Sequence, residues 1–179
     1  MPTSKEYGKR VKVSDLPDGI ARFFPVAPTV QPSDSSEPSL GLSQPLLLPI
    51  LECLREDVGE IKEAFQQVHL RMVGGSLLIV YEGDWEDAAG GINTFFKEGD
   101  SDDQEQEQDE EDEEEEDDDE SDEDDGKKRP HPPYCVKLID FAHTRIKPRE
   151  GPDEGVLLGL STVLKLLDGR IEEVRNAVE

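Results

Sequence analysis

Two ionisable side chains, Asp140 and His143, directly follow a short apolar run and are the best-placed residues in this sequence to do chemistry. The run, residues 134–139, is rich in β-branched and aromatic side chains, and the polar residues after it are typical of a strand that ends in a turn. Carboxylates at the carboxyl end of a strand commonly face a ligand crevice. Asp140, held in place by packed apolar neighbours, is therefore a candidate ligand for Mg²⁺ on the phosphates of a nucleotide.

Both residues also have a structural interpretation. An Asp after a strand is often a turn former or a helix cap, which would explain Asp140 without any ligand. His143 could be a structural histidine, a hydrogen-bond donor to a phosphate, or a group that orients an attacking hydroxyl. The sequence around the two residues bears on this choice.

That surrounding sequence forms an ordered set of motifs. Residues 139–143 are Ile-Asp-Phe-Ala-His, followed by Asp-Glu-Gly at 153–155, and the upstream residues 75–83 are Gly-Ser-Leu-Leu-Ile-Val-Tyr-Glu-Gly. The set resembles the inositol polyphosphate kinase family, which carries an Ile-Asp-Phe-Ala-His segment, an Asp-Glu-Gly and a Ser-Ser-Leu-Leu strand ending in Tyr-Glu-Gly. Gly75 stands where the first Ser is usual. Within the family the likeness is greatest to fungal-type inositol polyphosphate multikinases, which carry acidic insertions between these motifs.

The resemblance implies ATP-dependent phosphorylation of a hydroxyl of an inositol phosphate. Asp140 would be the catalytic carboxylate that binds Mg²⁺ on ATP, Ser76 would lie near the nucleotide phosphates, and His143 would be a catalytic residue that faces the substrate. Lys9 lies in a weaker family-like segment near the amino terminus and would contact the inositol polyphosphate. Other basic residues of that segment could do the same: Arg10, Lys12 and Arg22.

The sequence departs from the family in two respects. The family carries a Pro-x-x-x-Asp-x-Lys-x-Gly motif for substrate binding and transfer, and an amino-terminal lobe that holds ATP; neither has a counterpart in the sequence. Its one Asp-x-Lys, at 125–127, has Ser121 in place of the Pro and Arg129 in place of the Gly. Two hypotheses stay open: a truncated kinase that lacks the lobe and the motif, and a non-catalytic acidic interaction protein derived from a kinase lobe.

The elements that must position these residues are predicted to form an α+β fold. The resemblance implies that this fold is the carboxyl-terminal lobe of the inositol polyphosphate kinase family. Ser76–Tyr81 and Tyr134–Ile139 should pair as a short antiparallel sheet flanked by helices. Apolar residues at steps of three and four predict a long helix from Leu47 to Met72. The same spacing predicts a helix over 153–168, capped by Asp153 and ended by Gly169, before a short final helix.

The predicted organisation of the chain has five parts. They are an amino-terminal fragment of the kinase domain at 1–24, a Pro/Ser-rich linker at 25–45, a helix and strand at 46–83, a disordered acidic insertion at 84–133, and a strand and helices at 134–179.

Negative charge is concentrated in the insertion. The net charge is -25, and residues 100–125 hold 21 of the 44 acidic residues and no basic one, whereas 19 Lys and Arg nearly balance the rest. Such a tract cannot bury enough apolar surface to fold alone, and no EF-hand pattern fits it. A solvated insertion without a partner and a surface for basic nuclear proteins are the two interpretations. Direct binding to nucleic acid is not expected.

Cellular location is suggested by what the sequence lacks. Cys53 and Cys135 have no metal-ligand spacing and are predicted to stay reduced. No signal-peptide core follows Met1, and no apolar run reaches the length of a membrane span. Residues 127–130 are a basic cluster compatible with nuclear import. We expect a soluble protein of the nucleus, the cytoplasm or both.

Overall fold

The computed structural model describes residues 5–27, 41–99 and 132–177 of the 179-residue chain. Within these ranges no helix is both long and apolar enough to cross a membrane. Short 3-10 turns at Val13–Asp15 and Phe141–His143 join some of the longer elements. These elements are, in chain order, α1 (Lys5–Arg10), α2 (Leu16–Phe23), β1 (Val26–Ala27), β2 (Leu42–Ser43), α3 (Gln44–Gln67), β3 (Leu70–Met72), β4 (Ser76–Tyr81), α4 (Trp85–Gly99), β5 (Tyr134–Ile139), β6 (Thr144–Ile146) and α5 (Glu154–Asn176).

The strands form three separate pairs. β1 and β2 are parallel, whereas β3 with β6 and β4 with β5 are antiparallel. In the longest pair Ser76 lies opposite Ile139 and Tyr81 lies opposite Tyr134. The predicted pairing is confirmed in its bounds, and the α+β fold class is confirmed with it.

The core is built by α3 and α5, which pack along each other with β4 and β5 at their side. Each helix has an apolar stripe because its buried residues recur at steps of three and four. Complete burial of one such Leu stabilises the fold by about 2 kcal/mol. The buried residues are Leu47, Ile50, Leu51, Leu54 and Val58 on α3, and Leu157, Leu160, Leu167, Ile171 and Val174 on α5.

The prediction that the first long helix reaches Met72 is wrong. α3 ends at Gln67, Val68 is extended and 43% exposed, and Met72 is buried in strand β3. The main-chain N–H of Met72 donates to the carboxylate of Asp153 at 2.9 Å. Strand pairing and this hydrogen bond override a helical spacing that continued by coincidence, as tertiary contacts often override local propensity.

The prediction that Gly169 ends a helix is also wrong, because α5 is continuous to Asn176. A glycine within a helix costs about 1 kcal/mol. Leu167, Ile171 and Val174, which flank it, are buried, and the guanidinium of Arg170 donates to the carbonyl of Phe24 at 2.7 and 3.1 Å. These contacts outweigh the cost of the glycine.

The predicted disordered insertion is wrong over 85–99, where the chain forms α4. The carboxylate of Asp84 accepts from the N–H of Glu86 at 2.8 Å and of Asp87 at 3.2 Å, which caps the helix. The indole N–H of Trp85 donates to the carbonyl of Gly41 at 2.9 Å, and Ala88 is fully buried. The acidic tract at 100–125 lies outside the described residues.

Candidate functional site

The β4–β5 pair packs one face on the core and leaves the other face open. Leu77, Ile79 and Tyr81 contact the core cluster. Side chains alternate along a strand, so Leu78 and Val80 point the opposite way, and they are 43% and 53% exposed. The open face thus carries an apolar strip on β4 that no other described residue buries, with the exposed Lys137 of β5 directly opposite Leu78.

Ser76 and Asp140 lie at the same end of the β4–β5 pair. Ser76 begins β4 and lies directly opposite Ile139, the last residue of β5. Asp140 follows Ile139, so the hydroxyl and the carboxylate belong to adjacent strand ends, and both residues are exposed. The structure therefore brings together the two residues predicted to face nucleotide phosphates.

Asp140 has an unusual backbone conformation. Its φ of 67° and ψ of 50° lie in the left-handed region, which costs most L-residues about 1–2 kcal/mol and is tolerated best by Asn and Asp. The carboxylate makes no capping hydrogen bond to the 3-10 turn that follows. We expected packed apolar neighbours to hold the carboxylate. For Phe141 this expectation is wrong, because its side chain is 51% exposed. The backbone sets the direction of the side chain and leaves its oxygens available to a ligand.

His143 ends the 3-10 turn Phe141–His143 that directly follows Asp140. Its carbonyl accepts a hydrogen bond from the N–H of Val73 at 3.3 Å, whereas its side chain is exposed. The residue lines an open cavity of about 460 Å³. The other residues that line this cavity are Arg71, Val73, Ala142, Thr144, Arg145 and Lys147, a set without a carboxylate.

We call this space the basic cavity, and the β3–β6 pair forms its wall. Arg71 on β3 is the direct partner of Arg145 on β6. Directly opposite residues of an antiparallel pair project from the same face of the sheet. The two guanidinium groups therefore share one face, and Lys147, two residues after Arg145, extends it.

Arg71 is fixed by main-chain carbonyls. One terminal nitrogen donates to the carbonyls of Leu70 at 2.7 Å, Gly151 at 2.9 Å and Pro152 at 3.2 Å, and the other donates to the carbonyl of Glu150 at 2.9 Å. These acceptors carry no formal charge. Arg71 thus holds the loop before α5 against β3. These carbonyl acceptors do not neutralise the positive charge of its guanidinium.

Asp153 makes the second connection between β3 and α5. Besides Met72, its carboxylate accepts from the N–H of Gly155 at 3.0 Å and of Val156 at 3.3 Å. The predicted helix cap is confirmed. These hydrogen bonds, that from Met72 above all, lower the pKa of the Asp153 carboxyl from its ordinary value of 3.8.

Among the described contacts, none joins Lys9 to the other predicted site residues. It lies on α1, whose Tyr7 hydroxyl donates to the Asp18 carboxylate of α2 at 3.3 Å. The end of α2 is anchored where Arg170 donates to Phe24. That point is roughly 25 Å along α5 from the loop beside the basic cavity, at 1.5 Å per residue. Substrate contact by Lys9 stays a prediction, as it does for the basic residues near it: Arg10, Lys12 and Arg22.

Phe23 and Phe24, at the end of α2, have a structural role at the far end of β4. Phe23, Phe24 and Tyr81 form an aromatic cluster with ring centroids 4.7 to 5.7 Å apart. The Tyr81 hydroxyl donates to the carbonyl of Phe23 at 2.8 Å. These contacts fix the end of α2 to the sheet.

Sequence reasoning missed Arg71, Arg145 and Lys147. A signal was present, because every second residue from His143 to Arg149 is basic, and that period places side chains on one face of a strand. The sequence around Arg71 has no such alternation of basic residues. Its place opposite Arg145 depends on a pairing across more than seventy residues of chain.

One solved structure is similar to the whole described fold. The crystal structure of the inositol phosphate multikinase from S. cerevisiae, in complex with ADP and Mn²⁺, matches with a TM-score of 0.58 and 20% identity. The match covers 94% of this chain and 50% of that one. The two proteins share a fold, and this chain spans about half the length of its structural relative.

Comparison of sequences gives two results. No curated protein sequence matches the chain. The family model of inositol polyphosphate kinase matches residues 1–168, which is most of its length. The chain belongs to the inositol polyphosphate kinase family.

Proposed function

We propose that this chain forms a nucleotide and substrate site of an inositol phosphate kinase, which transfers the γ-phosphoryl group of ATP to a hydroxyl of an inositol phosphate. The observation that carries the proposal is that Ser76, which begins β4, and Asp140, which follows β5, lie at the same end of the strand pair beside an exposed apolar strip of β4. Family membership supports the reaction class. The ADP and Mn²⁺ in the yeast multikinase structure support a nucleotide with a divalent cation as the ligand.

The open strip is suited to a nucleotide. Leu78 offers apolar surface for a planar base, and the strip ends at Ser76, whose hydroxyl can donate to a phosphate oxygen. Asp140 then lies where a cation on the phosphates can be bound. The base and the phosphates would thus contact the parts of β4 and β5 that the core leaves exposed.

The residues present fit Mg²⁺ held mainly by the nucleotide. Among the described residues no three His, Cys, Asp or Glu side chains converge, so Asp140 would bind as a single carboxylate. Mg²⁺ commonly binds one or two carboxylates and takes its other ligands from phosphates and water. When bound, the cation neutralises negative charge on the phosphates that separate during transfer.

His143 is placed to act on the inositol phosphate. It lies one short turn from Asp140 and faces the basic cavity, so a substrate in that cavity would have its hydroxyl near both residues. In its neutral form the imidazole can accept a hydrogen bond from the attacking hydroxyl and orient it. In its charged form it can donate to a phosphate.

Nucleotide binding tests the proposal more directly than turnover, since the Asp-x-Lys motif of the family has no counterpart in this sequence. Mg-ADP should raise the melting temperature of the chain, and Asp140→Asn should abolish the shift because it removes the negative charge and keeps the shape. Asp87→Asn, which changes an exposed carboxylate on α4, is the matched control. Superimposed melting curves with and without Mg-ADP would remove the basis of the proposal.

Phosphoryl transfer is the second measurement. We expect chromatography to resolve a more highly phosphorylated inositol phosphate after incubation with labelled ATP. We expect no such product from Asp140→Asn. A chain that binds Mg-ADP through Asp140 but forms no product would retain the nucleotide site without the reaction.

A non-catalytic role is the second candidate, and the acidic tract at 100–125 favours it. A dense anionic segment attracts basic proteins, including those of the nucleus. Deletion of residues 100–125 should then abolish binding to a basic protein such as a histone in a pull-down, whereas Asp140→Asn should not. Equal binding by the full chain and the deletion variant would reject this role.

A further inference from the structure

Strand β5 has one free edge. Within the described residues the β4–β5 pair is a two-stranded sheet, so β5 has a neighbouring strand on one side. The main-chain N–H of Glu82 donates to the carbonyl of Pro133 at 2.8 Å, just beyond the last strand pair. Residues along an antiparallel ladder alternate between those that bond to the neighbouring strand and those that do not. Because Pro133 bonds to β4, Cys135 and Lys137 do so too, since they follow it at steps of two.

The main-chain groups of the intervening residues point away from β4. These residues are Tyr134, Val136 and Leu138, and within the described ranges no other main chain hydrogen-bonds to them. A row of unpaired N–H and C=O groups on an edge strand is a template on which another strand can pair. The outer edge of β5 is such a row.

Open space runs along this edge. A cavity of about 630 Å³ is lined by each residue of β5 from Tyr134 to Lys137. Consecutive residues of a strand project to opposite faces, so a cavity that touches all of them passes around the edge of the strand. On β4 the lining residues are Val80 and Tyr81, at the end of that strand. The cavity therefore follows β5 on the side where it has no neighbour.

The lining of this edge cavity carries net negative charge. It contains the carboxylates of Asp57 on α3 and of Glu82, and one ammonium group, that of Lys137. In the described part of the chain neither carboxylate has a basic side chain within salt-bridge distance. Burial, and then a hydrogen bond to Asp57, raise the pKa of the Tyr134 phenol, which therefore stays protonated and donates to that carboxylate. Glu56, exposed on α3, adds negative charge beside the same tyrosine.

These charges bear on which strand can pair with β5. Two copies of a chain of net charge -25 repel each other, and a lysine on an edge strand, as Lys137 is, commonly protects against pairing between copies. A segment that carries Lys or Arg has the opposite charge and would bring cations to Asp57 and Glu82. When a peptide adds to a sheet edge, main-chain hydrogen bonds supply affinity and alternate side chains supply specificity.

We propose that the outer edge of β5 docks an extended basic segment of another protein, which pairs with β5 as a third strand and brings its cations to Asp57 and Glu82. The proposal does not depend on the kinase reaction, because it uses neither Asp140 nor the basic cavity. It also differs from attraction to the acidic tract at 100–125. Charge alone lets that tract attract any basic protein, whereas the edge requires a main chain with free N–H groups.

The first test compares two peptides in calorimetric titrations of the full chain. One is a short peptide, capped at both ends, that alternates Lys and Val. The other has the same sequence with a methyl group on every main-chain nitrogen, which keeps the charge and removes the donors. Methylation should weaken binding by about tenfold or more, because several main-chain hydrogen bonds are lost. Equal binding of the two peptides would overturn the docking site, since charge alone would then account for it.

The second test removes the negative charges of the edge cavity. Asp57→Asn combined with Glu82→Gln keeps the shapes of both side chains and should weaken binding of the unmethylated peptide by about fivefold or more. Glu63→Gln combined with Glu172→Gln removes the same charge from exposed positions on α3 and α5, and should change binding by less than about twofold. Equal effects of the two double variants would reject this edge as the place where the cations bind.

Amide hydrogen exchange of the wild type, measured for each residue by NMR, needs no variant. The N–H groups of Val136 and Leu138 should exchange fast in the free chain and slowly with the unmethylated peptide bound. Those of Cys135 and Lys137, which already bond to β4, should change less. A peptide that binds without slowing exchange at Val136 and Leu138 would contradict the proposal, because it would bind elsewhere.

The same measurement on the free chain tests the other occupants of the edge. Slow exchange at Val136 and Leu138 that depends on protein concentration would assign the edge to a second copy. Slow exchange at every concentration would assign it to another segment of this chain. Either result would overturn the proposed partner.

Discussion

The carboxylate of Asp153 accepts a hydrogen bond from the main-chain N–H of Met72 at 2.9 Å and so joins the start of α5 to β3. The same carboxylate caps α5 through Gly155 and Val156. We expect Asp153→Ala to lower the free energy of unfolding by about 2 kcal/mol, the upper part of the range for loss of a helix cap, because a strand N–H also loses its acceptor. Urea denaturation measures the change. Glu154→Gln, an exposed change one residue later, should have a much smaller effect.

The contribution of Asp153 should depend on pH. Its pKa is lower in the folded chain than the ordinary value of 3.8, so its ionised form stabilises the fold above about pH 4. That stabilisation should be lost as the pH falls through the lower folded pKa. The difference in unfolding free energy between the wild type and Asp153→Asn should therefore be constant near neutrality and shrink below about pH 4. A difference that is the same from pH 7 to pH 2 would contradict this account.

Arg145 should destabilise the protein when no ligand is bound. Removing its charge relieves repulsion from Arg71, its direct partner, so Arg145→Gln should raise the free energy of unfolding by roughly 0.2–1 kcal/mol at low salt. High salt screens exposed charges and should reduce this gain. Urea denaturation at two salt concentrations checks both statements. A destabilised Arg145→Gln would mean that Arg145 makes a structural contact instead.

The left-handed backbone at Asp140 predicts different effects for two substitutions. Asp140→Asn should fold with nearly unchanged stability, since Asn tolerates this region as Asp does. Asp140→Ala should lower the free energy of unfolding by about 1 kcal/mol, because alanine pays the steric cost of a positive φ. Equal stabilities for the two variants would show that the backbone relaxes at this position.

Two leucines of α5 test where the core lies. Leu167 is fully buried against α3, whereas Leu158 is 70% exposed. Leu167→Ala should lower the free energy of unfolding by about 2–5 kcal/mol, and Leu158→Ala should change it by less than about 0.5 kcal/mol. Thermal or urea unfolding of the pair, with the same substitution on the same helix, separates burial from helix propensity. Similar losses for both would contradict the packing of α3 on α5.

Local sequence was sufficient to predict the features that depend on a few neighbouring residues or on a strict hydrophobic period. The bounds of β4 and β5 follow from alternation and apolar content, and the capping role of Asp153 follows from its place before an amphipathic run. The order of the motifs, from Gly75 to Gly155, was enough to indicate the family, which the match over residues 1–168 shows.

Tertiary contacts decided the features that depend on distant partners. Met72 has a helical spacing but pairs in β3, because β6 and Asp153 supply its partners from more than seventy residues away. Gly169 stays helical because the burial of neighbouring side chains exceeds its propensity cost. Arg71 reaches the basic cavity only through the register of β3 on β6, and no local pattern encodes that register. The sequence by itself thus determined the bounds of β4 and β5 and the cap of α5, while long-range packing decided which cations line the cavity beside His143.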